Sequence, residues 1–355
     1  MTKENMPDLS LVETLSDFIG VSGAEGAVRA FVRQEVKPFA DELRVDPLGN
    51  LLVWCRGKGD GPRVKVMVAA HMDEVGFMLT AKDDKGYYRF AKVGGVQEST
   101  LMGKPVWVGK EKVPGVIGIK PVHLTEKKEK KKIIPLKDLR IDVGPEQTDR
   151  VHVGDRVVFA TKFTRMGDAL FGKAFDDRLG VAFLMALVKN PPQDIDLLAA
   201  FTVQEEIGLR GARVAAHTLD PDCSFVLDAT PARDFPAWEE EDENTTYNTR
   251  LGEGGAIYTA DAGTISDPRL VQYLIRVAED EGLPYQLRQP GGGGTDAAAI
   301  HKQRAGIPSV SISVPTRYLH SPVSLVKVGD LQATWALLKA ALDGFSADVL
   351  DSPRG

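Results

Sequence analysis

The sequence predicts an α/β protein: a mostly parallel sheet with helices on both faces, interrupted by a small inserted β-rich domain. Three observations lead there. Apolar runs of strand length alternate with segments of helical periodicity up to about residue 74 and again after residue 163, the pattern of a parallel sheet covered on both sides. Between Val75 and Phe163 the pattern changes to short alternating runs such as YYRFAKV, KPVWVGK and VPGVIGIK, punctuated by Gly and Pro and with little helical periodicity. A chain of 355 residues that is 43% hydrophobic can also bury a large core. The expected division is residues 1–74 and 164–355 for the two parts of the α/β domain, with 75–163 as the insert.

Taken in order, Leu9, Leu11, Val12, Leu15, Phe18 and Ile19 recur at helical spacing after Asp8, with Gly20 as the expected C-terminal cap. A second helix is expected from Ala24 towards Leu43, with a break at Pro38. The Asp46-Pro-Leu-Gly-Asn50 turn then leads to strands at Leu51–Cys55 and Val64–Ala70. Later strands are expected at Leu197–Val203, Phe225–Leu227 and Val310–Val314. Helices are expected after Arg178, near Ala212, over Pro268–Glu281 and over Gly329–Leu342. Glu126–Lys132 and Trp238–Arg250 read as solvated surface loops, the latter a candidate border of a substrate entrance.

Composition narrows the function classes. A net charge of -6 argues against a nucleic-acid surface, which needs clustered Lys and Arg, and the one Lys-rich run, Glu126–Lys132, includes Glu and is isolated. Cys55 and Cys223 each sit among apolar residues, as reduced buried thiols do, and do not form a disulfide framework or a Cys-based zinc site. The N-terminal residues lack a signal-peptide pattern and no apolar stretch is long enough to cross a bilayer, so a cytoplasmic location is expected.

The chemistry-bearing residues cluster at strand ends. His71 closes the run VKVMVAA and is followed two residues on by Asp73, a natural partner for the second ring nitrogen of a metal-bound imidazole. Asp176 and Asp177 precede the apolar run GVAFLMALV. One acid there could cap a helix, while a second needs a further reason: Asp176 could bridge two cations and Asp177 could cap the helix or orient a ligand. Glu205 and Glu206 end the run DLLAAFTVQ, where two adjacent anions at a buried strand end are costly without a cation. With ions present, Glu206 would bind one and Glu205 would remain free as a general base. Asp228 follows CSFVL, and His320 follows VSISV through Pro315–Leu319. In open α/β sheets ligands gather beyond the carboxyl ends of the strands, so these residues are placed to converge. His and carboxylate ligands without Cys suit zinc, cobalt or manganese in a hydrolytic site. Two divalent ions balance Asp176, Glu206, Asp228 and one hydroxide, and would lie about 3.5–4 Å apart.

His71-Met72-Asp73, Lys173-Ala-Phe-Asp-Asp-Arg178, Glu205-Glu206, Asp228, Gly292-Gly-Gly-Thr-Asp-Ala297 and Arg317-Tyr-Leu-His-Ser321, in this order, resemble the M42 family of glutamyl and deblocking aminopeptidases. The resemblance covers nearly the whole chain. It implies a zinc-peptidase type of fold, two divalent metal ions, peptide substrates, and removal of N-terminal residues. It also implies Asp176 as the bridge, His71 and Glu206 completing one ion site, Asp228 and His320 the other, and Glu205 as base, with Asp73 counted among the catalytic residues. A homo-oligomer, from dimer to hollow dodecamer built through the insert, is a further implication. Gly291–Gly294 lacks the Lys and Ser or Thr of a phosphate loop; its glycines are expected to let the backbone approach substrate or the metal's surroundings, with Thr295 and Asp296 as candidate substrate contacts or helix caps. Carboxylate-only glycoside hydrolysis is the rival chemistry, but it leaves His71, Asp228 and His320 without a role. A deacylase or dipeptidase would use the same metal pair, and a non-catalytic relative would be expected to have lost Glu205.

Overall fold

The structure, a computed structural model, describes residues 6–58, 63–118, 123, 125, 133–234, 249–288 and 290–354. The charged run Glu126–Lys132 and the acidic part of Trp238–Arg250 lie outside the described residues.

The chain opens with α1 (Leu9–Asp17), capped by Asp8, whose carboxylate accepts from the Ser10 N–H, and α2 (Gly26–Val36). Two expectations change here. Gly20 does not cap α1, which ends in extended backbone at Phe18; the Gly20 N–H instead donates to Glu74 Oε1 at 3.0 Å, and a side chain there would strike the Arg178 guanidinium. The second helix stops at Val36 because Pro38 cannot continue it; one 3-10 turn follows, and Glu42–Val45 forms strand β1. β1 pairs antiparallel with β2 (Leu51–Cys55) across the Asp46 turn, where Asp46 Oδ1 accepts the N–H groups of Leu48, Gly49 and Asn50.

β3 (Lys65–His71) then leads into six strands, β4 (Gly76–Lys82), β5 (Tyr88–Val93), β6 (Pro105–Val108), β7 (Val113–Gly118), β8 (Arg140–Asp142) and β9 (Arg156–Phe159), which close a barrel in the order β4-β5-β8-β7-β6-β9. Its core is its own: Phe77 stacks edge-on between Phe90 and Phe159, at 5.2 and 5.5 Å, surrounded by Leu79, Val108, Ile117 and Ile141.

The chain returns through β10 (Thr164–Met166) and β11 (Ala169–Gly172) to α3 (Phe175–Lys189), β12 (Asp196–Thr202), α4 (Arg210–Leu219), β13 (Cys223–Pro231), β14 (Gly255–Tyr258), α5 (Pro268–Asp280), β15 (Tyr285–Arg288), α6 (Ala297–Ile300), β16 (Ser309–Thr316), β17 (Ser324–Lys327), α7 (Val328–Asp343) and α8 (Asp348–Asp351). Among the described residues the main sheet runs β1-β2-β12-β3-β13-β16-β14-β15, with β12, β3, β13 and β16 mutually parallel. α1, α2, α3, α5 and α7 pack on one face and α4 and α6 on the other, each layer burying a separate apolar cluster. The strands following β3 in the sheet fall to its two sides, β12 on one and β13 on the other, so the crevice where strand order reverses opens at the end of β3. Among the described residues no helix is long and apolar enough to cross a membrane.

A buried ionic clamp fixes that crevice. Glu74 accepts from Lys173 Nζ at 2.9 and 3.0 Å and from Arg178 Nη2 at 3.3 Å, all three side chains being 4% exposed or less. The remaining donors go to backbone carbonyls: Lys173 to Phe18, and Arg178 to Leu15 and Met72. The clamp thereby ties the end of α1, the segment after β3 and the start of α3 to one another.

Glu74→Gln removes the one carboxylate that both buried cations contact and should cost about 3–5 kcal/mol, read as a lower denaturation midpoint in chelator-treated protein; an unchanged midpoint would mean that the clamp does not hold the crevice. Phe77→Ala should cost about 3–5 kcal/mol and release hydrogen-exchange protection first in β4, β5 and β9, whereas a uniform loss across the main sheet would mean the barrel has no core of its own.

Candidate metal centre and active site

His71 is the last residue of β3, level with Thr202 at the end of β12. Asp228 lies inside β13, paired with Ser313, and does not follow the strand, because β13 continues to Pro231. The register of β13 on β3 pairs Val226 with Ala69, so Asp228 and His71 lie two residues further on at the same level. Glu205 and Glu206 sit in the turn after β12, and His320 in the turn after β16. Asp176 stands at the start of α3 in non-helical backbone and is joined to Asp177 by a cis peptide.

These elements bring four side chains together around Asp176. His71 Nε2 is 3.0 Å from Asp176 Oδ1 and 4.0 Å from Asp228 Oδ1. His320 Nε2 is 3.4 Å from Asp176 Oδ2 and 3.3 Å from Glu206 Oε2. Each oxygen of Asp176 therefore faces a different imidazole. His71, Asp176 and Glu206 also present atoms within 4.8 Å of one another, so Glu206 reaches across the bridge. The shorter contacts set His71 with Asp228 and His320 with Glu206, a pairing different from the one the resemblance implied.

The surrounding bonds hold this set in place. Asp73 is fully buried and accepts from Ser22 Oγ at 2.6 Å, from the Glu205 N–H at 3.0 Å and from the Glu206 N–H at 3.2 Å, with one oxygen 3.5 Å from His71 Nδ1. It orients a histidine and two glutamates and stands behind the reacting centre. The backbone carbonyl of Asp73 is nearer to His71 Nδ1, at 3.2 Å. Asp177 accepts from the Gly180 N–H and from the His71 N–H, so it both caps the helix and fixes the end of β3. Glu25, with Oε1 accepting from the N–H groups of Gly23 and Gln204, anchors the turn that carries Glu205.

The charges do not balance within the protein. Burial pushes the carboxyls of Asp228 and Glu205 well above the usual range and that of Glu206 upward, with neighbouring carboxylates adding to each. Burial alone would lower both imidazoles, but Asp176 and Asp73 hold His71 well above its ordinary value, and Asp176 and Glu206 hold His320 at about 11. Burial opposes ionisation of Asp176 too, and its bonds to His320 and His71 overcome it, keeping the carboxyl below the ordinary range. Glu206 Oε1 is buried and finds no hydrogen-bond partner. Hard oxygen and imidazole donors, converging with an orphaned carboxylate oxygen and too little positive charge, fit divalent cations.

Thr295 and Asp296 are not among the side chains that contact Asp176. Both are buried: Thr295 Oγ1 is 2.8 Å from Ser311 Oγ, and Asp296 Oδ2 accepts from Thr202 Oγ1 at 2.6 Å, while its other oxygen is unpartnered. Burial raises the Asp296 carboxyl to about 6. The Asp296 bond lies at the end of β12, where Thr202 is level with His71. Gly292, Gly293 and Gly294 border open space and press on no neighbour. A small cleft beside Asp176, Glu206 and His320 is walled by Val75, Phe159, Ala174 and Ser321. A larger hollow beside Leu43, Trp54 and Leu219 includes none of the site residues.

Sequence reasoning missed Glu74, Ser22 and Glu25. The Lys-Ala-Phe-Asp-Asp-Arg motif carried the signal for Glu74, since Lys173 and Arg178 are two cations that must be buried if Asp176 is, and they require an acid nearby.

Known proteins share both the sequence and the shape. A sequence profile described as M42 glutamyl aminopeptidase matches residues 49–337. A putative aminopeptidase of Acetivibrio thermocellus is 37% identical over 96% of this chain and 100% of its own length. The aminopeptidase APDkam598 of the archaeon Desulfurococcus kamchatkensis superposes with a TM-score of 0.90 at 34% identity, over 98% of this chain and 97% of that one. The TET1 peptidase of Pyrococcus horikoshii, described as able to assemble into a tetrahedron or a large octahedral shell, superposes with a TM-score of 0.83 at 33% identity, over 95% and 99%. With a match spanning most of its length and relatives of this identity, the chain belongs to the M42 family of aminopeptidases.

Proposed function

We propose that the chain hydrolyses the N-terminal peptide bond of peptides with two divalent cations and Glu205 as general base. The observation that carries this is the placement of Asp176 between His71 and His320, one oxygen towards each. On this reading His71, Asp228 and Asp176 would hold one ion, while His320, Glu206 and Asp176 would hold the other. When bound, two such ions acidify water and polarise the scissile carbonyl, which zinc, cobalt and manganese can all do.

The chain's own groups do the rest. Glu205 is anchored through its N–H to Asp73 and is not among the side chains that contact Asp176, so its carboxylate is free to accept a proton from the attacking water. The proton it takes is then delivered to the leaving amine. Asp73 fixes both the base and His71, and acts through them.

Glu205→Gln should lower turnover by about 10²–10⁴-fold on an aminoacyl-amide panel while metal content, measured by elemental analysis, stays at the wild-type value; substantial remaining activity would remove Glu205 as base. Chelation should abolish hydrolysis, and zinc, cobalt or manganese should restore it. Full activity in metal-free protein would end the two-ion reading.

A further inference from the structure

Besides Phe159, which walls the cleft, the barrel reaches the catalytic crevice at one turn. The turn after β5, Gly94-Gly95, packs on two of the side chains around Asp176: a Cβ built on Gly95 would stand 3.0 Å from His320 Nδ1, and one built on Gly94 would stand 3.4 Å from Glu206 Cβ and 2.8 Å from Val75. His320 and Glu206 are the pair that faces Asp176 Oδ2. The turn touches these two, while His71 is fixed from within the sheet and by Asp73 and Asp177.

His320 needs such support. Its backbone lies in the left-handed region at φ 56°, as does Tyr318 at φ 62°, a conformation that persists only where neighbours enforce it. Its side chain is 39% exposed, against 2% for His71. Glu206 is held through its N–H by Asp73, but its Oε1 has no partner. The half of the centre around His320 is therefore the less enclosed one, and the barrel turn forms its outer wall.

We propose that Gly94-Gly95 is a positioning element for the His320–Glu206 ion site: the absence of side chains there lets the barrel backbone close against His320 and keep its Nε2 aimed at Asp176. The inserted barrel thereby sets the affinity of one of the two ions and leaves the other untouched. Gly94 is doubly constrained, since its φ of 86° also disfavours any side chain. Gly95 carries no such backbone demand, and the close approach to His320 is what excludes a larger residue.

The inference rests on the two-ion reading, and the experiment separates the two. Wild-type protein, Gly95→Ala and Gly95→Val are stripped, titrated with zinc or cobalt against a chromophoric chelator, and analysed for ions per chain after desalting. Wild type should hold two. Gly95→Ala should weaken one ion by about 10- to 100-fold with the other unchanged, and Gly95→Val should retain one ion per chain. Gly118→Ala, whose Cβ would make only an ordinary 3.5 Å contact in β7, should keep both. Melting of the stripped proteins checks the fold, and Gly95→Ala, a single methyl at an exposed turn, decides the matter if the Val variant does not fold. Two ions of wild-type affinity in Gly95→Ala, or equal weakening of both, would overturn the proposal. A wild type with fewer than two ions would instead overturn the two-ion reading itself.

Discussion

Everything at the crevice follows from the crowding of carboxylates around Asp176. Glu205, Glu206, Asp228 and Asp177 all lie in a volume from which most water is excluded, and two imidazoles are the cationic groups that touch the bridge. Like charges at such distances repel strongly when solvent cannot screen them. A protein that keeps this arrangement must either protonate several acids or supply external positive charge. The division of Asp176 between two histidines gives that charge two places to sit.

The frame around the site has the opposite character. Glu74 is satisfied by Lys173, Arg178 and the Gly20 N–H, and Asp73 by one hydroxyl and two N–H groups. A buried ion pair with complete hydrogen bonding contributes little to net stability, yet removing one member is costly, so it serves as a strong register pin. Among the ligands Glu206 Oε1 is left without a partner, whereas the supports Glu74 and Asp73 are fully partnered. That contrast distinguishes the groups that bind from the groups that hold.

Much of this was legible in the residues. Long apolar runs such as Val66–Ala70 and Leu197–Phe201 announce buried parallel strands, and acids at their ends stand out because nothing else in a core tolerates them. What was not legible has physical reasons. Glu42–Val45 is an edge strand with mostly exposed side chains, so it carries no apolar signature, and it was absorbed into the preceding helix. The extent of β13 beyond Leu227 was hidden because Asp228 interrupts the apolar run, although that residue remains within the strand. The pairing of ligands depends on which way each carboxylate turns, which spacing along a chain does not encode. Thr295 and Asp296, expected as substrate contacts or helix caps, bond to Ser311 and Thr202 on two different strands, a pairing that spacing along the chain does not announce.

The clamp also has a bearing on the barrel. Glu74 precedes β4 and Lys173 follows β11, so their ion pair joins the entry and exit of a 99-residue excursion. The loop-closure entropy of such a long segment grows only slowly with its length. A neck held in this way makes the insert resemble a cassette, free to lengthen, shorten or change its outer face while the crevice beneath keeps its shape. The turn that leans on His320 and the Phe159 wall of the cleft would have to be reproduced by any replacement.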